Sequence, residues 1–243
     1  MAAFRRMGRR LPLRAGRARA FITFPEATLS RKALFLLSAG AYAVLVLVGC
    51  AQTPGPGLAR GEQIFDTCYP CHGKDGLGKE LIGAPAIAGL PRWYVERQLQ
   101  NFKTSMRGAN PHDIEGARMR PMAKALYREG DIASVAEYVA TLPGRVPAAT
   151  MVHGDTAAGR VRYQSICVTC HMDDGKGNEP LGAPPLTHQH DWYMMSQIAK
   201  FKSGMRGAHP DDVMGAQMAA MASTLEDSTA MHDVIAFIRT LQK

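Results

Sequence analysis

The sequence predicts a mainly α-helical protein made of two tandem, equivalent domains. Three observations predict this: an internal repeat, apolar residues at helical rather than alternating spacing, and a C-x-x-C-H motif at the same place in each copy. Cys68, Cys71 and His72 map onto Cys167, Cys170 and His171 at a spacing of 99 residues, and the match runs without a gap to Leu142 and Leu241. Gly83-Ala84-Pro85 matches Gly182-Ala183-Pro184, and Trp93-Tyr94 matches Trp192-Tyr193. Met106-Arg107-Gly108-Ala109 matches Met205-Arg206-Gly207-Ala208. Such a period is too long for a solenoid repeat, so it marks a duplicated domain.

The chain begins with a leader. Residues 1–49 read as a signal or targeting segment: Arg31-Lys32 is followed by Ala33 to Gly49, 17 residues without a charge. That length is short for a membrane span and suits the apolar part of an export signal. The stretch ends Leu47-Val48-Gly49-Cys50, which resembles the lipobox of bacterial lipoproteins, where the Cys becomes the lipid-modified first residue. An uncleaved anchor and ordinary cleavage nearby are the alternatives. All three export the globular part, to the periplasmic side of a bacterial membrane.

The leader also explains the charge. The whole chain has a formal net charge of +8, but 9 of its 29 Lys and Arg lie before Cys50, with only Glu26 to oppose them. From Cys50 onward 20 bases face 20 acids. No basic stripe interleaved with aromatics follows, so nucleic acid is not expected as a partner.

The remaining segments follow in order. Residues 50–58 form a Pro/Gly tether, 59–142 a first domain, 143–150 a linker rich in Pro and Ala, and 151–243 a second domain. In each domain a short helix leads into the Cys pair. Tyr94, Leu99, Phe102 and Met106 keep helical spacing, as do Tyr193, Ile198, Phe201 and Met205. Ile132, Val135, Val139 and Leu142 suit a last helix with Asp131 as its N-cap, and Val234, Ile235, Ile238 and Leu241 repeat that stripe. Gly- and Pro-rich loops separate the helices.

The motif carries the chemistry. In C-x-x-C-H each thiol adds to a vinyl group of haem, the two sulfurs lie along one porphyrin edge, and the adjacent His reaches the iron. Cys68, Cys71, Cys167 and Cys170 are therefore candidates to bind two haem c groups, and His72 and His171 to ligate their irons. Five Cys leave only Cys50 over. A zinc site needs four N or S ligands, and each unit offers three. A thioredoxin-like dithiol would want a βαβ setting, which is absent.

A Met thioether in the sixth position of the iron raises its potential and closes it to small ligands. Three Met positions recur: Met106/Met205, Met119/Met218 and Met122/Met221. The first pair continues apolar helical stripes and suits core packing. Met119 and Met218 follow a Gly-Ala-x segment read as a loop bending over the haem, and are favoured as ligands over Met122 and Met221.

In this combination the chain resembles the dihaem cytochrome c4 family of class I cytochromes c. The residues carrying the resemblance are CYPCHGKDGLG and CVTCHMDDGKGN, the two GAP segments running to MRG, and GARMRPMA and GAQMAAMA. It spans about Gly61 to Leu241. The resemblance implies two tandem class I cytochrome c domains related by a pseudo-twofold, with their haem edges close together. It implies Met119 and Met218 as the distal ligands, and Pro85 and Pro184 as residues whose carbonyls hold the proximal His. Trp93, Tyr94, Arg107, Trp192, Tyr193 and Arg206 would pair with haem propionates or pack between the domains. Thr187-His188-Gln189-His190 departs from its first-domain counterpart and reads as surface histidines.

The expected function is a membrane-tethered electron carrier rather than an enzyme. Its donor would be a membrane quinol-oxidising complex or another redox protein, and its acceptor a terminal oxidase or reductase. The rival expectations are a dihaem enzyme, such as a peroxidase or a thiosulfate-oxidising cytochrome, and a haem subunit of a larger oxidase or reductase.

Overall fold

A computed structural model describes residues 54–151 and 153–242; the leader, Cys50 and the start of the tether lie outside the described residues. Among the described residues there are ten α-helices and no strand, only isolated bridges at Lys79–Ala84 and Asn178–Ala183. The first half holds α1 (Leu58–Phe65), α2 (Tyr69–His72), α3 (Arg92–Lys103), α4 (Ile114–Lys124) and α5 (Asp131–Thr141). The second holds α6 (Thr156–Arg162), α7 (Val168–His171), α8 (Asp191–Lys202), α9 (Val213–Ser223) and α10 (Ser228–Leu241). Among the described residues no helix is long and apolar enough to cross a membrane.

Glycine sets how the first helix of each half meets the last. A side chain at Gly61 would strike the backbone carbonyl of Ser134, and one at Gly159 the carbonyl of Asp233. With hydrogen there, α1 lies directly on α5 and α6 on α10. Behind these crossings sit two apolar cores. Ile64, Phe65, Leu126, Val135 and Val139 form the first, and Tyr163, Met194, Ile198, Phe201, Val234 and Ile238 anchor the second.

The gapless repeat stops at the first Cys, and the structure shows why. Gly61 and Phe65 correspond spatially to Gly159 and Tyr163, one residue out of step with the Cys pairs. A π-turn at Tyr163–Cys167 absorbs the extra residue, as single-turn π-bulges do. The aromatic contact survives: Phe65 meets Tyr138 and Tyr163 meets Phe237, each pair at 5.3 Å between ring centres.

Two expectations are corrected. Asp131 is the first residue of α5 rather than its N-cap, because Gly130 takes the cap position at φ 79°. The freed carboxylate accepts from Arg60 Nε at 2.8 Å and so ties α5 to α1. Met106 and Met205 do not continue their helices; Ser105 (φ 66°) and Gly204 (φ 73°) end the helical path just before them.

Candidate functional site

Each C-x-x-C-H motif forms a short helix whose last residue is the histidine, α2 in the first half and α7 in the second. His72 is 6% exposed and His171 7%. Each imidazole donates from Nδ1 to a proline carbonyl at 2.9 Å, His72 to Pro85 and His171 to Pro184. A carbonyl can only accept, so the proton is on Nδ1 and the lone pair is on Nε2. Burial pushes both histidines below the ordinary imidazole pKa, with the proline carbonyls opposing that shift. A neutral ring with Nε2 open is the form that ligates a metal.

The loop presenting Pro85 is folded tightly against the motif. Gly78 N–H donates to His72 O at 2.7 Å, and Gly76 O accepts from Ile87 at 2.8 Å and Ala88 at 3.0 Å. Gly78 has φ 83°, and a side chain there would lie 2.5 Å from Ala84 O and from Pro85 C. Only glycine lets the two strands of this loop approach so closely.

None of the four motif cysteines is paired in a disulfide. Burial raises the Cys68 pKa, opposed by a hydrogen bond from Thr67. Burial, with Cys170 alongside, pushes Cys167 up to about 11. An environment that disfavours thiolate suits an uncharged thioether. Among the described residues no group of three or more His, Cys, Asp or Glu side chains is arranged to hold a bare metal ion.

Met119 and Met218 lie inside α4 and α9, not in loops as expected. Asp113 caps α4 by accepting from Gly116 N–H at 3.0 Å, and Asp212 caps α9 through Gly215 at 2.9 Å. The caps start these helices early enough to include the methionines, and Gly116 and Gly215 leave room for the capping carboxylates. Both methionines are half-buried, and Met218 packs on the second core. Met122 and Met221, at 41% and 42% exposed, face outward.

A crossed polar network joins the two domains. Arg107 donates to Gln98 at 2.7 Å, Gln197 at 2.9 Å and Tyr193 at 3.0 Å. Arg206 donates to Gln197 at 2.8 Å, Gln98 at 2.9 Å and Tyr94 at 3.4 Å. Every member has its partner 99 residues away, which is the pseudo-twofold expressed in hydrogen bonds. Each guanidinium also lies over its own domain's phenylalanine, Arg107 on Phe102 at 4.5 Å and Arg206 on Phe201 at 4.4 Å. Gln98 and Gln197 were not singled out from the sequence, although their equivalence in the repeat was there to find.

The expected alternatives for these residues, propionate partners or interdomain packing, both find support. The network is interdomain packing, yet Arg107 Nε and Trp192 Nε1 remain buried without a hydrogen-bond partner. Buried donors without acceptors are rare, and they fit a group carrying carboxylates. Taken with the paired thiols and the Nε2 lone pairs, the residues present fit covalently held haem in both domains.

Asymmetric contacts add to the symmetric ones. Lys200 on α8 reaches Asp113 at 2.5 Å and Glu115 at 2.7 Å, gripping the start of α4 across the interface. Arg97 on α3 donates to Gly182 O at 2.5 Å in return. The histidine-rich segment is not a surface feature, contrary to expectation. Gln189 is buried and donates to Ala86 O at 3.0 Å, and His190 Nε2 donates to Leu77 O at 2.7 Å.

Comparison with known proteins agrees with this geometry. The Cytochrome c family matches residues 58–143 and 156–242. The thiosulfate dehydrogenase electron acceptor of Stutzerimonas stutzeri (strain A1501) is 33% identical over 166 residues, covering 64% of this chain and 72% of that protein. Cytochrome c4 of Azotobacter vinelandii is 28% identical over 189 residues, covering 74% and 88%. The cbb3-type cytochrome c oxidase subunit FixP of Bradyrhizobium diazoefficiens is 31% identical over 153 residues, and the match spans 51% of that longer protein. Among solved structures, Acidithiobacillus ferrooxidans cytochrome c4 superposes with a TM-score of 0.57 at 26% identity, covering 72% of this chain and 99% of that one.

Proposed function

Because the chain belongs to the cytochrome c family, with two tandem domains and two covalently bound haem c groups, we propose that it is a membrane-tethered carrier passing electrons singly between two redox proteins. The observation that carries this reading is the equivalence of the two sites. Each has a buried histidine with Nε2 available and a half-buried methionine on the matching helix. Two closed, similar sites suit electron transfer; an enzyme needs one site open to substrate.

In this reading Cys68 and Cys71 hold the first haem and Cys167 and Cys170 the second. His72 and Met119 ligate the first iron, His171 and Met218 the second. Each haem, when bound, supplies a one-electron ferric–ferrous couple. The protein's own contribution is positional. Pro85 and Pro184 orient the proximal rings and set their basicity. The methionines occupy the remaining position and exclude water. The Arg107–Arg206 network holds the domains in one arrangement, so that an electron entering one domain leaves by the other. The donor would be a membrane quinol-oxidising complex or a similar protein, and the acceptor a terminal oxidase or reductase. The lipobox-like residues ending in Cys50 support a lipid tether on the periplasmic side. Replacing Cys50 by Ser and fractionating cells tests it: release of a soluble cytochrome is expected, and continued membrane retention contradicts it.

The similarity to a thiosulfate dehydrogenase electron acceptor favours a more specific second reading, in which the donor is a thiosulfate-oxidising enzyme. Mixing the purified chain with such an enzyme and thiosulfate separates the readings. Rapid haem reduction, absent without the enzyme, supports this donor; none restricts the chain to other donors.

A further inference from the structure

The two proximal histidines have the same immediate partners but different surroundings. The loop that presents Pro85 to His72 consists of two strands, Gly76-Leu77-Gly78 and Pro85-Ala86-Ile87. The second domain grips both. Gln189 takes the carbonyl of Ala86, the residue next to Pro85. His190 takes the carbonyl of Leu77, next to the Gly78 whose N–H holds His72 O. The grip is itself braced. The His190 ring lies 5.3 Å from that of Trp192, the His190 backbone N–H donates to Gln189 Oε1 at 3.1 Å, and Gln242 Nε2 donates to Gln189 O at 3.3 Å.

The first domain does not return this grip from the matching positions. The repeat places Leu90 and Pro91 where the second domain has Gln189 and His190. Neither side chain has a hydrogen to donate, so the loop presenting Pro184 has no equivalent clasp from those positions. The symmetric network therefore coexists with a Gln189–His190 clasp on the first site's histidine loop that has no counterpart at the matching positions, the second site's loop being met instead by Arg97 at Gly182 O.

We infer that Gln189 and His190 are positioning residues for His72, so that the second domain tunes the potential of the first haem through a clasp that the second haem's loop does not receive at the matching positions. The inference rests on the ligand assignment proposed above. The physical link is the His72 Nδ1–H···O bond to Pro85. A strong bond makes the imidazole more electron-donating and favours the ferric state. Holding Leu77 and Ala86 keeps the Pro85 carbonyl aimed at Nδ1. Releasing them lets the carbonyl drift, weakens the bond and raises the potential of that haem alone.

The test is potentiometric titration of the purified dihaem protein carrying Gln189→Leu and His190→Pro, which copies the first domain. Proline is compatible with the backbone, since His190 has φ −64° and Pro91 φ −57°. The expected result is two low-spin haems, with one wave unmoved. The other should shift upward by at least threefold in its equilibrium constant, about 28 mV for one electron. The moved wave should be the one displaced in Met119→Ala. His190→Phe keeps the backbone N–H and the aromatic contact, and should shift the same wave the same way. It decides on the same criterion if the double variant loses haem. His190→Gln restores a donor and should return towards the parent value. Neither wave moving, both moving together, or the second haem's wave moving alone overturns the inference. A parent protein lacking two low-spin haems overturns the proposed function itself, and the two failures are thereby distinct.

Discussion

The sequence already favours Met119 and Met218 over their neighbours, and the placed helices add a difference in burial. From the sequence they shared the M-x-x-M pattern with Met122 and Met221, and a loop was expected where Asp113 and Asp212 in fact cap helices. Within α4 and α9 the first methionine of each pair is half-buried and the second exposed. Met119→Ala and Met218→Ala should each convert one haem to high spin and lower its potential, read in the optical spectrum and a redox titration. Met122→Ala and Met221→Ala should leave both spectra as they are; conversion by either would reassign the ligands. Gly78 offers a second residue-level test. Gly78→Ala places a methyl against Ala84 O and Pro85 C at a positive φ, and should destabilise the first domain by about 2 kcal/mol or more in urea unfolding. The C-x-x-C-H motifs were legible beforehand because they depend on covalent spacing, and the Pro–His bonds were expected only from the family resemblance. The roles of Gln189 and His190 were not, because their partners lie more than 100 positions away.

At the scale of elements, the two halves differ where the repeat looks uniform. Asp113 and Asp212 are equivalent caps, and losing either should cost about 1 kcal/mol. Asp113 also receives the largely covered Lys200, which would be left with only the half-exposed Glu115. Asp113→Ala should therefore cost distinctly more than Asp212→Ala, as a comparison of urea midpoints will show. Asp191 fastens the interdomain linker to the start of α8: its carboxylate accepts from Thr150 N at 2.8 Å, Thr150 Oγ1 at 2.9 Å and Met151 N at 3.0 Å. Burial works to raise its pKa, but these donors outweigh burial and hold it below the ordinary value. A depressed carboxylate stabilises the fold fully above its unfolded pKa of about 4, and that contribution is lost as pH falls through the folded pKa. Asp191→Asn should remove that part of the acid-side loss, flattening stability against pH below about 4. The helices themselves were legible from apolar spacing. The π-turn at Tyr163 was not, because one inserted residue leaves no local pattern.

Across the whole molecule, duplication accounts for the fold and for most of the interface. The repeat predicted two domains, and the pseudo-twofold is written in Arg107, Gln98 and Tyr94 with their counterparts Arg206, Gln197 and Tyr193. The sequence could pair these residues by number but could not show that the pairs cross between domains. Charge gave less at this scale, since the surplus lies before Cys50. Two equivalent sites, each with a buried histidine and a half-buried methionine, are the basis for proposing electron transfer, and the central claim concerns the state of both irons. A spectroelectrochemical titration of the purified chain tests it most directly. Two haems per chain should appear, both low-spin in each oxidation state. Both ferric haems should show the long-wavelength charge-transfer band of methionine ligation, and they should titrate as two reversible one-electron waves. A stable high-spin haem in the parent protein, or a methionine band accounting for only one iron, would contradict the account.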